Sequence, residues 1–297
     1  MRGIVTVLNI PFTDSNHIDI DGLCANVDYA IEAGVAGFLV PALASEVGSL
    51  SEIERNAIVK AVVDTSAGRV PIVGGASADT QQLRVHLATD LISLGCSGVL
   101  VNMPLSDEGI FERDLAEIAE VGGDFVMLQD WDPVGEGLPI PFIQHLYQSI
   151  EQFTWLKIEV IPAGPKYTRV LEATDGRLNV SGGWAVMQMI EALDRGVHVF
   201  MPTGMHRIYA RTYELFGQGK HDAACKLFEQ VLPVLAFSNQ RLDISIHFFK
   251  RLLHRQGLYA TLNVRPPIEP LDGFQERTAD ALIEGVIALE KSLVAQT

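Results

Sequence analysis

The sequence predicts a (β/α)8 barrel over residues 1–218, followed by a helical extension over 219–297. Three observations predict it. Eight short apolar runs alternate with segments of helical period. The runs are apolar on both faces, as parallel strands covered by helices require. The alternation then stops near residue 218 and only helical pattern follows. Eight such units in about 220 residues fit a closed barrel. An open doubly wound sheet would use fewer strands and a G-x-G-x-x-G turn after the first, which GIVTVLNIPF lacks.

In order, the strands are expected at 3–9, 36–41, 70–75, 97–102, 124–129, 154–160, 177–181 and 197–201. Helices are expected near 19–33, 51–66, 79–94, 108–120, 139–151, 165–173, 184–195 and 203–217, with three more at 219–235, 238–256 and 274–295. Asp19 to Asp21 open the first helix, and Ser51 with Glu54 forms a capping-box pattern before the second. Gly95 and Gly196 sit where helices stop. The Pro-rich NVRPPIEP separates the last two helices, and no linker isolates the extension, which is expected to pack on the barrel.

A net charge of −15 argues against nucleic acid or an anionic membrane as partner. Three scattered cysteines, 24, 96 and 225, fit reduced thiols in a cytoplasmic protein. The opening apolar stretch is short and lacks a small-residue cleavage site, and the longest apolar run is about half of what a membrane helix needs. The eight histidines show no metal-ligand spacing, so neither metal nor other cofactor is expected.

The run FTWLKIEV carries two charges inside an apolar strand. Side chains alternate along a barrel strand. If Leu156, Ile158 and Val160 face the helices, Lys157 and Glu159 face inward. An unpaired interior charge is costly, and burial disfavours ammonium. A lysine present as neutral amine attacks ketones. Spacing alone allows two outcomes: a nucleophilic lysine, or a buried Lys157–Glu159 ion pair.

The order of segments resembles the dihydrodipicolinate synthase/N-acetylneuraminate lyase family of Schiff-base barrels. The resemblance rests on GIVTVLNIPFTDSNHID, RVPIVGG, LKIE and NVSGGWAVMQMIEALDRGVHVFMPTG. It implies an imine-forming Lys157, a small-molecule 2-keto acid as substrate and a homo-oligomer, dimer or tetramer. The stretch QDWDPVGEGLPIPFIQHLYQSIEQFTWLKIEV, with Ser45-Glu46 and Gly182-Gly183-Trp184, is similar to the branch that includes L-2-keto-3-deoxyarabonate dehydratase.

The chain departs from the synthase pattern at three places, and at the third, after strand four, it departs from the dehydratase branch as well. Ala42 to Glu46 replaces the G-T-T-G-E loop, Gln129 replaces a tyrosine, and Asn102 to Ser106 replaces T-P-Y-Y. Glutamine does not titrate and cannot relay protons, which speaks against ordinary pyruvate aldol chemistry. The expected reaction is dehydration of a 2-keto-3-deoxy sugar acid. The alternatives are a pyruvate-dependent aldolase or synthase, and a barrel that binds a keto acid without turnover. Lys157, Ser45 and Glu159 are the expected catalytic residues. Glu159 is expected to act as base or to pair with Lys157, and Ser45 to relay a proton or cap a helix. Leu43 and Ala44, with Glu46, are expected to form or orient an anion-binding loop. Gln129, Asp130, Gly182 and Gly183 complete the substrate-binding set, Asp130 having helix capping as its alternative. Trp184 is expected in a pocket wall or the core, and His206 at the surface.

Overall fold

The computed structural model describes residues 1–183 and 187–295. Eight parallel strands close in the order β1 to β8: β1 Gly3–Val7, β2 Gly37–Leu39, β3 Ile72–Gly75, β4 Gly98–Val101, β5 Phe125–Asp132, β6 Phe153–Val160, β7 Asn179–Gly182 and β8 Val199–Phe200. The barrel helices are α1 Ile20–Glu32, α2 Glu52–Ser66, α3 Gln81–Ser93, α4 Glu108–Ala119, α5 Ile140–Ser149, α6 Ala163–Ala173, α7 Met189–Asp194 and α8 His206–Gly217.

The first four barrel helices start where side chains satisfy their free amides. Asp19 accepts from Gly22 N, Thr80 from Leu83 N and Asp107 from Ile110 N. Ser51 and Glu54 form the reciprocal capping box expected. Gly95 and Gly196 follow α3 and α7 with φ of 102° and 87°, a region where a Cβ is strained.

The chain divides into two compact units, Met1–Arg2 with Pro71–Met201, and Gly3–Val70 with Pro202–Thr297. In the first unit, β3 to β8 pair in sequence. β5 and β6 are eight residues each, and the pairing continues through Asp130↔Ile158, Trp131↔Glu159 and Asp132↔Val160. Strand five therefore runs three residues past its expected end. Asp130, Trp131 and Asp132 follow the apolar run, yet their backbone pairs with β6.

In the second unit, β1 pairs with β2. The extension holds four helices rather than three: α9 His221–Glu229, α10 Leu232–Ser238, α11 Leu242–Arg255 and α12 Gly273–Val294. The stretch expected as one helix over 219–235 breaks because Pro233 lies in the first turn of α10, a place where its missing N–H costs nothing. α11 packs on the 3-10 turn Leu43–Ser45, and α12 on α8. Trp184, expected in a pocket wall or the core, lies outside the described residues.

Candidate active site

β6 carries Lys157 with its side chain 9% exposed and Glu159 with its side chain 13% exposed. Lys157 Nζ lies 3.1 Å from Glu159 Oε2. Of the two outcomes spacing allowed, the structure forms the ion pair. The neighbouring strand supplies a third member. Gln129, in register with Lys157, donates its amide N–H to Glu159 Oε2 in a short hydrogen bond. Gln129 is held in turn by its backbone, whose carbonyl accepts from Asn102 Nδ2 at 3.1 Å. Asn102 N donates to Ser77 Oγ at 2.9 Å.

β7 closes the other side. Ser181 is in register with Lys157 and Gly182 with Ile158. Gly182 spends its carbonyl on Met201 N at 3.1 Å. At Gly183 a Cβ would overlap the Glu159 carboxylate and come within 2.6 Å of Lys157 Cε. The missing side chain is therefore what lets the Lys157–Glu159 pair occupy its place. Lys157, Glu159, Gln129 and Gly183 are thus brought together on one face.

Asp130 is not. It follows Gln129 on the strand, so it projects to the opposite side. There Asp130 Oδ2 lies 2.5 Å from Lys166 Nζ, both side chains 2% exposed. Its Oδ1 accepts from Leu138 N at 2.8 Å, just before α5. Lys166 also donates to the carbonyls of Glu136 and Leu138. Burial pushes the Asp130 carboxyl up and the Lys166 ammonium down, against their mutual attraction. A cleft of about 780 Å3 adjoins this pair, lined by Glu136 to Pro141, Lys166, Arg169 and Glu172, with Lys157 no part of its lining.

In the second unit, the loop after β2 holds the other expected residues. Ser45 Oγ donates to Leu8 O at 2.6 Å and accepts from Ala42 N at 3.0 Å. Its hydroxyl is spent on the loop, and its own N–H bonds Ala42 O at 2.9 Å. Leu43 and Ala44 open the 3-10 turn, where amides have no acceptor inside the turn. Glu46 stands in the left-handed region with φ of 56°, and its side chain explains why. Glu46 makes a short ion pair with Lys250 of α11, each side chain 1% exposed. Its other oxygen accepts from Arg265 N at 2.7 Å. Lys250 further donates to Asn263 O at 2.7 Å. Phe12 lies under both cations, 4.2 Å from Lys250 Nζ and 4.3 Å from Arg265 Cζ. Burial pushes Lys250 down to about 8 even with Glu46 beside it. Glu46 therefore ties the loop to the extension.

His206, expected at the surface, is 1% exposed. A directed chain satisfies it. Tyr259 Oη donates to Asn9 O at 2.8 Å and accepts from Asn26 Nδ2 at 3.1 Å. Asn26 Oδ1 is left to accept from His206 Nε2 at 3.1 Å, and His206 Nδ1 to accept from the Thr6 hydroxyl at 3.1 Å. That assignment makes the ring neutral, and burial pushes its pKa down to about 3. Asn9 Nδ2 completes the chain with a 2.9 Å bond to Ala44 O.

Sequence reasoning passed over three residues of β5 to β7 surroundings. Trp131, in register with Glu159 and half-exposed, continues the Gln129 face. Ser181 and Tyr167 are buried, and neither hydroxyl has a hydrogen-bond partner among the described residues. Burial first, then the Glu159 and Glu191 carboxylates, push the Tyr167 phenol up. Alternation counted from Lys157 and its register partner would have marked Trp131 and Ser181. Nothing in sequence marks Tyr167.

The cluster offers one amine, one carboxylate and one amide. A single carboxylate already bonded to two partners is too few ligands for a structural metal ion. The same set suits covalent chemistry on a carbonyl: an amine to attack, and an adjacent carboxylate to take and return its proton.

Comparison with known proteins places this geometry in context. The pattern of the Dihydrodipicolinate synthetase family matches residues 1–285. An L-2-keto-3-deoxyarabonate dehydratase from Azospirillum brasilense is 26% identical over 285 residues, 91% of this chain and 89% of its own. A 4-hydroxy-tetrahydrodipicolinate synthase from Methanococcus maripaludis is 24% identical over 243 residues, 79% of this chain and 82% of its own. The crystal structure of dihydrodipicolinate synthase from Rhodopseudomonas palustris superimposes with a TM-score of 0.87 at 22% identity, covering 96% of this chain and 97% of that one. That last likeness carries the fold. No helix among the described residues is long and apolar enough to cross a membrane.

Proposed function

Because the chain belongs to the dihydrodipicolinate synthetase family, we propose that it is a lyase working through a Schiff base on Lys157, and that it dehydrates a 2-keto-3-deoxy sugar acid. The observation that carries this reading is the Lys157–Glu159 pair at 3.1 Å with Gln129 on the same carboxylate oxygen. The dehydratase relative from Azospirillum brasilense supports the choice of reaction.

In this mechanism Glu159 takes a proton from the Lys157 ammonium. The freed amine attacks C2 of the keto acid, and the C2 oxygen leaves as water. It carries away one proton from the nitrogen and one from Glu159. The resulting iminium acidifies C3–H. Glu159, again a carboxylate, removes that proton, and the enamine expels the C4 hydroxyl, which Glu159 reprotonates as it departs. The conjugated iminium then loses a C5 proton to Glu159 and regains a proton at C3, which leaves a C4–C5 enol. Water hydrolyses the imine and frees the lysine, and the enol tautomerises to the C5 aldehyde. Gln129 holds Glu159 in place without titrating, so the single carboxylate handles every proton. We assign Ser45 and Glu46 to shaping their loop and Asp130 to holding Lys166. We also expect a homo-oligomer, as the family resemblance implies.

The synthase relatives favour a second reading, carbon–carbon bond chemistry with pyruvate. Product analysis with L-2-keto-3-deoxyarabonate separates the two. Elimination yields 2-oxoglutarate semialdehyde and no pyruvate. Pyruvate plus a two-carbon aldehyde would replace the dehydratase reading with the aldolase one.

A further inference from the structure

Ser181 sits on β7 directly in register with Lys157. Register partners in a parallel sheet project to the same face, so the serine stands beside the lysine. Its side chain is fully buried, and its Oγ has no hydrogen-bond partner among the described residues. A buried hydroxyl without a partner is destabilising, a cost that alanine would not incur. The neighbouring polar groups are spent differently. Lys157 and Gln129 both point their donors at Glu159 Oε2, and the Gly182 carbonyl is taken by Met201 N. Of the strand residues flanking the lysine, Ser181 is the one that keeps an unused O–H.

We propose that Ser181 supplies the hydrogen bond that steadies the C2 oxygen of the keto acid as Lys157 attacks it. This inference rests on the Schiff-base reading of Lys157. The carbon–nitrogen bond forms as the carbonyl π pair moves onto oxygen, and that oxygen becomes an alkoxide beside the strand wall. The serine donates to it and keeps its own proton throughout. Both protons of the departing water come from the nitrogen and from Glu159, as above. The hydroxyl has no partner among the described residues and gains one in the carbinolamine, which places its stabilisation at the step where charge develops. By microscopic reversibility it serves imine hydrolysis equally. Imine formation and breakdown slow together when it is lost, and the equilibrium between them stays.

The test is the rate of borohydride trapping of the intact protein with pyruvate, followed by mass on the peptide containing Lys157, alongside thermal unfolding. Ser181→Ala removes only one atom and is expected to fold. Removing one such donor costs ~100-fold or more in rate. The expected result is a trapping rate lowered at least tenfold, an unchanged extent of adduct at saturation, an unfolding midpoint no lower than wild type, and recovery of rate in Ser181→Thr. Equal trapping rates in wild type and Ser181→Ala would overturn the proposal while leaving the Schiff base intact. A slow variant whose unfolding midpoint falls by several degrees would overturn it too, because the hydroxyl would then be structural. No adduct in the wild type would remove the Schiff-base reading itself, and this role with it.

Discussion

Lys157 and Glu159 are separated by one residue on β6, and their side chains meet at 3.1 Å. This contact follows from the period of a strand: residues two apart share a face. Removing one member of a buried ion pair strands the charge of the other. Gln129 fixes the carboxylate from the next strand, and Glu159 is the ion-pair partner of Lys157 among the described residues.

Gly183 should tolerate no side chain. A Cβ there would displace the Glu159 carboxylate and press on Lys157 Cε at 2.6 Å. Gly183→Ala is expected to lower the rate of imine formation at least tenfold. The displaced atoms are ends of flexible side chains, so the unfolding midpoint should move by only a few degrees. Trapping kinetics and a melting curve on the same sample check both halves. A variant with wild-type kinetics would show that the pair does not depend on this gap.

The Glu46–Lys250 pair gives a stability prediction of a different kind. Lys250→Met leaves the Glu46 carboxylate buried without its cation. Breaking a buried pair in this way costs ~3–5 kcal/mol. Adding Glu46→Gln removes the stranded charge and keeps an oxygen for Arg265 N, so the double variant should recover at least half of the loss. Urea unfolding of the two single variants and the double one measures the coupling. Simple additivity would mean that the two side chains act independently.

His206 makes the second unit sensitive to acid. Its folded pKa is depressed to about 3 by burial, while in the unfolded chain it titrates near ~6.5. The unfolded state therefore binds the extra proton first. The stability this residue contributes is fully present above the unfolded pKa and is lost as pH falls toward the folded one. Between pH 7 and pH 5 the loss is about 2 kcal/mol from this group. His206→Gln should be less stable at pH 7 and should lose correspondingly less on acidification. Denaturant unfolding at the two pH values reads the difference, and equal pH slopes in both proteins would contradict the assignment.

The barrel was legible because its strands must be apolar on both faces, a pattern no surface strand shares. Local rules also carried the caps at Asp19 and Ser51 and the helix-ending glycines. Period-two alternation alone puts Lys157 and Glu159 on one face. The same rule, applied one step further, separates Gln129 from Asp130: adjacent strand residues cannot both face the lysine. Asp130 looked like a site residue because it ends a barrel strand, but its place is decided by Lys166, thirty-six residues away in a helix. Ser45 looked like a proton relay by residue type, and only the folded loop spends its hydroxyl on Leu8 O. Lys250 and His206 were illegible for a related reason. Their partners, Glu46, Thr6 and Asn26, lie some two hundred residues distant, and no local pattern announces such pairings.

Every step of the proposed reaction depends on the Lys157 amine forming an imine with a 2-keto acid. Reducing the intact protein with borohydride in the presence of pyruvate, then mapping the adduct by peptide mass, tests it most directly. The expected result is a reduced pyruvyl adduct on the peptide containing Lys157, absent from Lys157→Ala. No adduct there with either pyruvate or L-2-keto-3-deoxyarabonate, or an adduct on Lys166 or Lys250 instead, would contradict it.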